Sequence, residues 1–439
     1  MNITIAGTGY VGLVTAAVLA HIGHTVVCTD IDQNKIDRLN AGECVIFEPD
    51  LAELLTANRE RLSFSADCGA AYRQSEVIFV AVGTPEKADG SANLKYVYDV
   101  VEEILESAER DCIVVIKSTV PVCTNDKIQQ YINKRIKNGI SVEVVSNPEF
   151  LSQGTAVHDM LHASRIVIGA QSETAKEIMR NIYKSMECPV FITDRCSAEM
   201  IKYASNDFLA LKISYINEIA NLCECVGADI GDVSYGMGLD ARIGNRFLKA
   251  GIGYGGSCFP KDTKALHWLS NFHDQEIKTV KAAVEVNSNQ KIRLIKKVRK
   301  YYDSLDGLTV AVLGLAFKPG TDDLREAPSL DCISILLDNG AQVRAWDPVA
   351  VENFKVHIKC ISFCDSIQET LEGADICFIL TEWPEVISLD PEVFLSMRTP
   401  VILDGRNCFE LNIIDNYPLI YDSIGRRTIR NIPLMLPNE

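Results

Sequence analysis

Residues 2–12 read Asn2-Ile3-Thr4-Ile5-Ala6-Gly7-Thr8-Gly9-Tyr10-Val11-Gly12. A short apolar strand, Asn2–Ala6, runs into a G-x-G-x-x-G turn, and a helical pattern follows over residues 11–22. That is the setting the dinucleotide fingerprint requires. Gly7 permits the tight turn. Gly9 lets the backbone approach a pyrophosphate at the helix N-terminus, and Gly12 lets helix and strand pack closely. A second strand, residues 24–30, ends on Asp30, 18 residues beyond Gly12. Its carboxylate would accept hydrogen bonds from the adenosine ribose and repel a 2′-phosphate, which points to NAD over NADP. A lone GxGxxG is a weak signal; strand, helix and Asp30 together make cofactor binding the expectation.

Outward from this turn, strands and helices alternate. A short helix is expected at 34–40, and further strands at 77–82, 112–117 and 142–146. Such alternation implies a mostly parallel sheet covered by helices on both faces. Near residue 196 the character changes. About thirty residues pass without Pro or Gly, with apolar positions at helical spacing: Met200, Tyr203, Phe208, Leu211, Tyr215, Ile219 and Leu222. That pattern predicts a long helix over 196–226. A Gly-rich stretch, 244–256, precedes a helical region to about 302. The alternation then restarts, with strands at 309–314, 342–345, 376–380 and 401–403. The expected fold is α/β. Two Rossmann-like doubly wound domains, 1–195 and 303–439, are joined by a long central helix and a helical middle domain, 196–302.

The chain has 439 residues, with 43 Lys plus Arg against 59 Asp plus Glu, a net charge of −16. That balance excludes a general binder of nucleic acid or anionic membrane, since neutralising phosphate needs surplus cations. An anionic ligand would need local positive contacts. No apolar run approaches the roughly 18 residues of a spanning helix. The N-terminus has no basic region and no cleavage site, so a signal peptide is not expected. The 15 cysteines are scattered without paired spacing, and Cys112, Cys332 and Cys377 lie in hydrophobic stretches. Reduced thiols in a cytoplasmic protein are expected.

Chemistry gathers in a few motifs. The first is Gly255-Gly256-Ser257-Cys258-Phe259-Pro260-Lys261-Asp262. A cysteine between a Gly pair and a Pro sits on a turn, and nearby cations favour its nucleophilic thiolate. Asp262 could activate a water, or it could simply cap a helix over 263–270. Spacing alone leaves a nucleophile and an inert thiol level. Lys202 and Asn206, at i and i+4, share one helix face; by themselves they read more readily as an exposed polar stripe than as site residues. Three clusters follow strand ends: Gly83-Thr84-Pro85, Ser118-Thr119-Val120-Pro121 and Asn147-Pro148-Glu149-Phe150. In a doubly wound sheet these ends line the ligand crevice. His158 and His162 have zinc-helix spacing, but Asp159 replaces the expected Glu and no third ligand is evident, so no metal is expected. Cys223 and Cys225 point apart on a helix and form no chelating pair.

Together these motifs resemble the UDP-glucose/GDP-mannose dehydrogenase family over nearly the whole chain. Segments 7–12, 118–121, 147–151, 202–206, 255–262, 314–325 and 404–407 occur in the family's order. The resemblance implies a double oxidation in which the C6 alcohol of UDP-glucose becomes the acid of UDP-glucuronate and two NAD are reduced. It implies that Cys258 captures the intermediate aldehyde as a thiohemiacetal, which becomes a thioester that water cleaves. A thiol nucleophile would hold a reactive aldehyde and split one hard step into two. Lys202 and Asn206 match residues that stabilise oxygen charge at C6. Asp262 and Thr119 match those that hold and activate the water, and Glu149 a carboxylate of proton transfer or water placement. Tyr10, Val11, Lys35, Thr84 and Arg325 join the glycines and Asp30 on the cofactor side. Phe150, Leu151, Phe247, Leu248, Lys249, Tyr254, Gly255, Lys318 and Arg406 match the nucleotide-sugar side. Arg242 matches an arginine supplied by the neighbouring subunit of a homodimer built on the long helix.

Two departures stand out. Gln153 replaces a glutamate frequent in the family and cannot take a proton. Residues 160–165, Met-Leu-His-Ala-Ser-Arg, lack the Pro-Asp that often precedes this arginine. The competing readings are a relative acting on GDP-mannose or a UDP-N-acetylhexosamine, a one-step hydroxy-acid dehydrogenase with an idle Cys258, and a non-catalytic nucleotide-sugar sensor. Since both implied ligands are anions, Lys202, Lys249, Lys261, Lys318, Arg325 and Arg406 are expected around one cleft.

Overall fold

The computed structural model describes residues 1–136 and 139–433. The contact pattern divides the chain into two compact units. One comprises Met1–Ser205 with Trp268–His273; the other comprises Asn206–His267 and the residues from Asp274 on.

The first unit is built on eight strands: β1 (Asn2–Ala6), β2 (Thr25–Thr29), β3 (Leu62–Ser65), β4 (Val77–Val80), β5 (Cys112–Ile116), β6 (Val142–Ser146), β7 (Ile166–Gly169) and β8 (Val190–Thr193). They lie in the order 3-2-1-4-5-6-7-8. Neighbours run parallel except β6 and β7. Every residue of β4 and β5 is buried, as expected of central strands covered on both faces. The order reverses direction between β1 and β4. There Ala6 pairs with Val80, so the Gly7 turn and residues 81–84 leave the sheet at the same edge. This is the topological switch point at which such sheets bind ligands.

Strands β3, β7 and β8 were not legible in the sequence. Each has four residues, and β3 and β8 are only partly buried, so none forms a long apolar run. They are held by their neighbours in the sheet rather than by their own pattern.

The second unit repeats the plan with β9 (Thr309–Leu313), β10 (Gln342–Trp346), β11 (Ser362–Phe363), β12 (Ile376–Ile379), β13 (Val401–Asp404), β14 (Ile420–Ser423) and β15 (Ile429–Arg430). Their order is 11-10-9-12-13-14-15, with only β15 antiparallel. The first six strands thus reproduce the order of the first sheet, again with a switch point, here between β9 and β12.

The long helix is one element, Arg195–Val226, of 32 residues. Its apolar positions serve two surfaces. Tyr203, Ile216, Ala220 and Cys223 are buried. Phe208, Tyr215 and Leu222, spaced by seven, are 61%, 48% and 57% exposed. Among the described residues no helix is long and apolar enough to cross a membrane.

The expectation of reduced thiols is corrected at one pair. Cys123 and Cys196, 73 residues apart in the chain, form a disulfide with Cα atoms 4.7 Å apart; the other thirteen cysteines are free. Their spacing carried no signal because only the sheet topology joins them. Cys123 precedes the helix after β5, and Cys196 opens the long helix after β8.

Candidate active site

The first glycine turn is built as its sequence requires. Gly7 has φ +109°, and its N–H donates to Thr29 O at 2.7 Å. A Cβ on Gly12 would lie 1.9 Å from the Gly7 carbonyl oxygen, a distance no side chain can share. Gly9 is the N-cap of the helix Tyr10–His21, and no side chain occupies the cap. The helix N-terminus therefore presents main-chain N–H groups, the donors that bind a pyrophosphate.

Asp30 Oδ2 accepts the Thr8 N–H at 2.9 Å and the Thr8 hydroxyl at 2.5 Å, and Oδ1 accepts the Asp32 N–H at 3.0 Å. Burial opposes its charge, but these bonds and the Lys35 ammonium outweigh burial and hold it below the usual carboxylate range. The ionised carboxylate at the end of β2 suits a ribose diol. The residues present therefore fit NAD. Tyr10, beside the turn, donates its hydroxyl to Glu48 and to Ser152 O. Glu48 also accepts the Gly154 and Ala156 N–H groups at 2.7 and 2.6 Å. Tyr10 thus anchors the segment that follows Phe150 and Leu151. Val11 is half-buried, and Lys35 is exposed.

The strand-end clusters do meet within the first unit. The Thr84 hydroxyl donates to Thr119 O at 2.9 Å, and Ser118 Oγ donates to Val82 O at 2.7 Å. Beyond β6, Glu149 accepts Lys202 Nζ at 2.9 Å and the Leu151 N–H at 2.6 Å. Both side chains are almost fully buried. Burial works against charge on Glu149. The Lys202 charge and hydrogen bond, the Leu151 N–H and the Lys117 charge overcome it, so the carboxyl lies below its usual range. The exposed-stripe reading of Lys202 is thereby set aside. Phe150 carries the Arg165 guanidinium 4.0 Å above its ring centroid. Lys117 is a buried cation that the sequence reading passed over. Its signal was a lysine closing a wholly apolar strand, Cys112–Ile116.

In the second unit, Cys258 immediately precedes the helix Phe259–Phe272, and its carbonyl accepts the Asp262 N–H at 2.8 Å. Asp262 lies inside the first helical turn rather than at the cap. Its buried carboxylate accepts Asn206 Nδ2 at 2.7 Å on Oδ2 and Lys261 Nζ at 2.7 Å on Oδ1. The Cys258 thiol is half-buried at the N-terminal edge of this helix. The Arg325 guanidinium interacts electrostatically with it. Gly256 N–H, two residues before Cys258, donates to Arg325 O at 2.7 Å, which ties the two loops together. The Arg325 side chain itself forks onto Asp323.

Asp207 was also missed. It is buried, neither carboxylate oxygen has a hydrogen-bond partner among the described residues, and its carboxyl is pushed up to about 8 by burial and then by the Asp262 charge. A neutral Asp207 leaves the negative charge of this acidic pair on Asp262, where two donors receive it.

Of the remaining expected residues of the second unit, Arg406 and Lys318 lie in the segments that follow β13 and β9. Arg406 follows β13 and donates Nε to Leu380 O at 2.8 Å, Nη1 to Gly253 O and Nη2 to Phe317 O, both at 3.1 Å. It therefore holds three loops by their carbonyls. Lys318 Nζ lies 5.5 Å from the Phe317 ring centroid. Tyr254 is buried, with its N–H and C=O both bonded to Asn287. Phe259 meets Phe247 and Tyr254 edge-on, at 6.3 and 5.8 Å between centroids. Leu248 and Gly255 are buried, and Lys249 is exposed. The Arg242 side chain is 88% exposed and pairs with Asp240. His158 and His162 contact each other ring to ring at 4.7 Å. Among the described residues no cluster of three or more His, Cys, Asp or Glu could hold a metal.

A doubly wound sheet whose first turn carries the dinucleotide fingerprint, with an acidic residue at the next strand end, defines an NAD-dependent dehydrogenase. The family models place it further. The NAD binding domain of the UDP-glucose/GDP-mannose dehydrogenase family matches residues 1–187, the central domain 196–289, and the UDP binding domain 311–411. The chain belongs to that family. It is 46% identical to the UDP-glucose 6-dehydrogenase YwqF of Bacillus subtilis, over 98% of each chain. The solved UDP-glucose dehydrogenase of Pyrobaculum islandicum superimposes with a TM-score of 0.91 at 36% identity, covering 97% of this chain and 98% of that one. A UDP-D-ManNAc dehydrogenase from Pyrococcus horikoshii superimposes with a TM-score of 0.86 at 28% identity, covering 97% and 99%.

Proposed function

We propose that this protein oxidises the C6 alcohol of UDP-glucose to the carboxylate of UDP-glucuronate in two successive oxidations. The observation that carries this reading is Cys258 at a helix N-terminus, one turn before an Asp262 held by Asn206 and Lys261. NAD, when bound, supplies the hydride acceptor for each oxidation. Gly7, Gly9, Gly12 and Asp30 would hold it, with Tyr10, Val11, Lys35, Thr84, Thr119 and Arg325 around it. Lys202 and Asn206 steady the developing charge on the C6 oxygen. The Cys258 thiolate adds to the aldehyde carbon, and the resulting thiohemiacetal is oxidised to a thioester. Asp262 and Thr119 hold the water that cleaves it, and Glu149 serves proton transfer in the segment where Gln153 cannot. Lys318, Arg406, Lys249, Phe247, Leu248, Tyr254 and Gly255 would receive the nucleotide sugar. Residues 1–195, 196–302 and 303–439 would then serve NAD, catalysis with dimerisation, and UDP in turn. Thirteen free thiols support a cytoplasmic setting.

The test is the yield of NADH across a panel of UDP-glucose, GDP-mannose and UDP-N-acetylhexosamines. Two NADH per UDP-glucose is expected. A ratio of one would sink the thioester route, another preferred sugar would move the assignment within the family, and no NADH from any sugar would favour a sensor.

A homodimer is part of the same proposal. Phe208, Tyr215 and Leu222 form a seven-residue stripe of exposed apolar side chains on the long helix, the pattern that a second helix covers. The exposed Arg242 would then serve the partner's substrate. Sedimentation of the wild-type chain should give twice the 48.5 kDa mass, and Leu222→Glu should shift it toward one chain. A wild-type protein that stays monomeric at micromolar concentration would refute the dimer.

A further inference from the structure

In the first unit Lys117 and Lys202 are both buried, and both act electrostatically on the buried carboxylate of Glu149. Lys117 follows the wholly buried β5 and is itself only 5% exposed. Its Nζ donates to Asn147 Oδ1 at 3.3 Å. The same oxygen accepts the Tyr183 hydroxyl at 2.6 Å, while Asn147 Nδ2 donates to Val167 O at 2.8 Å. The Asn147 amide is thereby fixed with its oxygen toward Lys117. Two residues on, Glu149 holds Lys202. The Lys202–Glu149 pair alone would be neutral; Lys117 brings a second positive charge into the same buried region. An ammonium placed there only to fill space would be costlier than an apolar side chain of the same volume.

We infer that Lys117 is a positioning residue for the oxidation: its ammonium keeps the buried Glu149 ionised and so keeps Glu149 paired with Lys202. The inference rests on the function proposed above, in which Glu149 and Lys202 have their tasks, and it gives Lys117 no contact with substrate. The charged groups acting on Lys117 are Glu149 and Lys202, and those acting on Glu149 are Lys202 and Lys117. Tyr183, the other titratable group on the Asn147 amide, is held far up by burial and stays neutral.

The sign follows from these groups. Burial favours the neutral form of Glu149, and the surrounding positive charge opposes burial. Loss of one ammonium therefore lets Glu149 take a proton at higher pH. Lys117 is itself pulled down to about 8, by burial first, with Lys202 adding to the shift and Glu149 resisting it. It is charged at pH 6 and sheds its charge as pH rises through 8. Its influence should accordingly be large in acid and vanish in base.

The experiment is the pH profile of kcat and KM for UDP-glucose in wild type, Lys117→Met and Lys117→Arg, with melting temperatures measured for each. In Lys117→Met the acid limb of kcat should move up by about one pH unit, so that on the acid side of that limb the variant is about tenfold slower than wild type. Above pH 9 its kcat should come within about twofold of wild type, and KM should change by less than about twofold throughout. A loss of the same factor at every pH marks a purely structural lysine and overturns the inference, as do superimposable profiles. If Lys117→Met melts below the assay temperature, Lys117→Arg decides. It stays charged at every pH, so its acid limb should stay within about 0.3 pH unit of wild type. A folded arginine variant whose acid limb lies a full pH unit above wild type overturns the inference. A wild-type protein that makes no NADH from UDP-glucose refutes instead the function on which it rests.

Discussion

Cys258→Ser is expected to lower the rate of acid formation by about 10³-fold or more, the scale seen when a covalent nucleophile is removed. The residue sits half-buried at the N-terminal edge of the helix Phe259–Phe272. A serine hydroxyl is a far weaker acid than a thiol and stays protonated, so it is the poorer nucleophile in the mechanism proposed above. Without the thiolate the aldehyde has no covalent anchor, and the second oxidation loses its substrate. Binding of UDP-glucose should be almost unchanged, because Cys258 adds little contact area and the Asn206–Asp262–Lys261 bonds do not depend on its sulfur. The checks are single-turnover acid formation and calorimetric binding of UDP-glucose. A serine variant that makes acid at the wild-type rate would show that Cys258 is not the nucleophile.

Gly12→Ala should raise the Kd for NAD by about 100-fold or more, roughly 2.8 kcal/mol. The added Cβ would stand 1.9 Å from the Gly7 carbonyl oxygen and 2.9 Å from its carbonyl carbon. Both are backbone atoms of the turn, so no side chain can swing away to relieve the clash. The turn between β1 and the first helix must open, and the N–H groups at the helix N-terminus lose their aim. Buried Leu13, Val14 and Ala17 lie on the same helix, so a fall in melting temperature should accompany the loss. NADH fluorescence titration measures the first effect and thermal melting the second. An alanine variant that binds NAD as tightly as wild type would show that this turn does not hold the cofactor.

Much of the fold was legible. The Gly7–Gly12 turn, Asp30 and the all-apolar strands β4 and β5 are local patterns. A parallel strand buried on both faces can scarcely avoid being a run of Val, Ile and Phe. The long helix was legible for the same reason, its apolar residues recurring at 3.6 over 32 positions. The edge strands β3 and β8 were not, because few-residue, half-exposed segments take their conformation from the strand beside them. Cys123 and Cys196 were misread because a disulfide depends on where β5 and β8 deliver the chain.

The candidate site divides along the same line. The sequence by itself determined which chemical groups are present and which turns carry them: a dinucleotide fingerprint, a cysteine on a Gly-Gly-Ser turn, and polar clusters at strand ends. It left Cys258 and Asp262 level with bland alternatives and favoured the bland one for Lys202, since charge and reactivity depend on neighbours distant in the chain. Tertiary structure supplied the distant partners of two of them. It buried Lys202 against Glu149, 53 residues away, and Asp262 against Asn206, 56 residues away. It also supplied Lys117 and Asp207, whose protonation is set by burial beside other charges. Sequence patterns record what each residue can do; the low dielectric and fixed partners of the folded interior select which of those things it does.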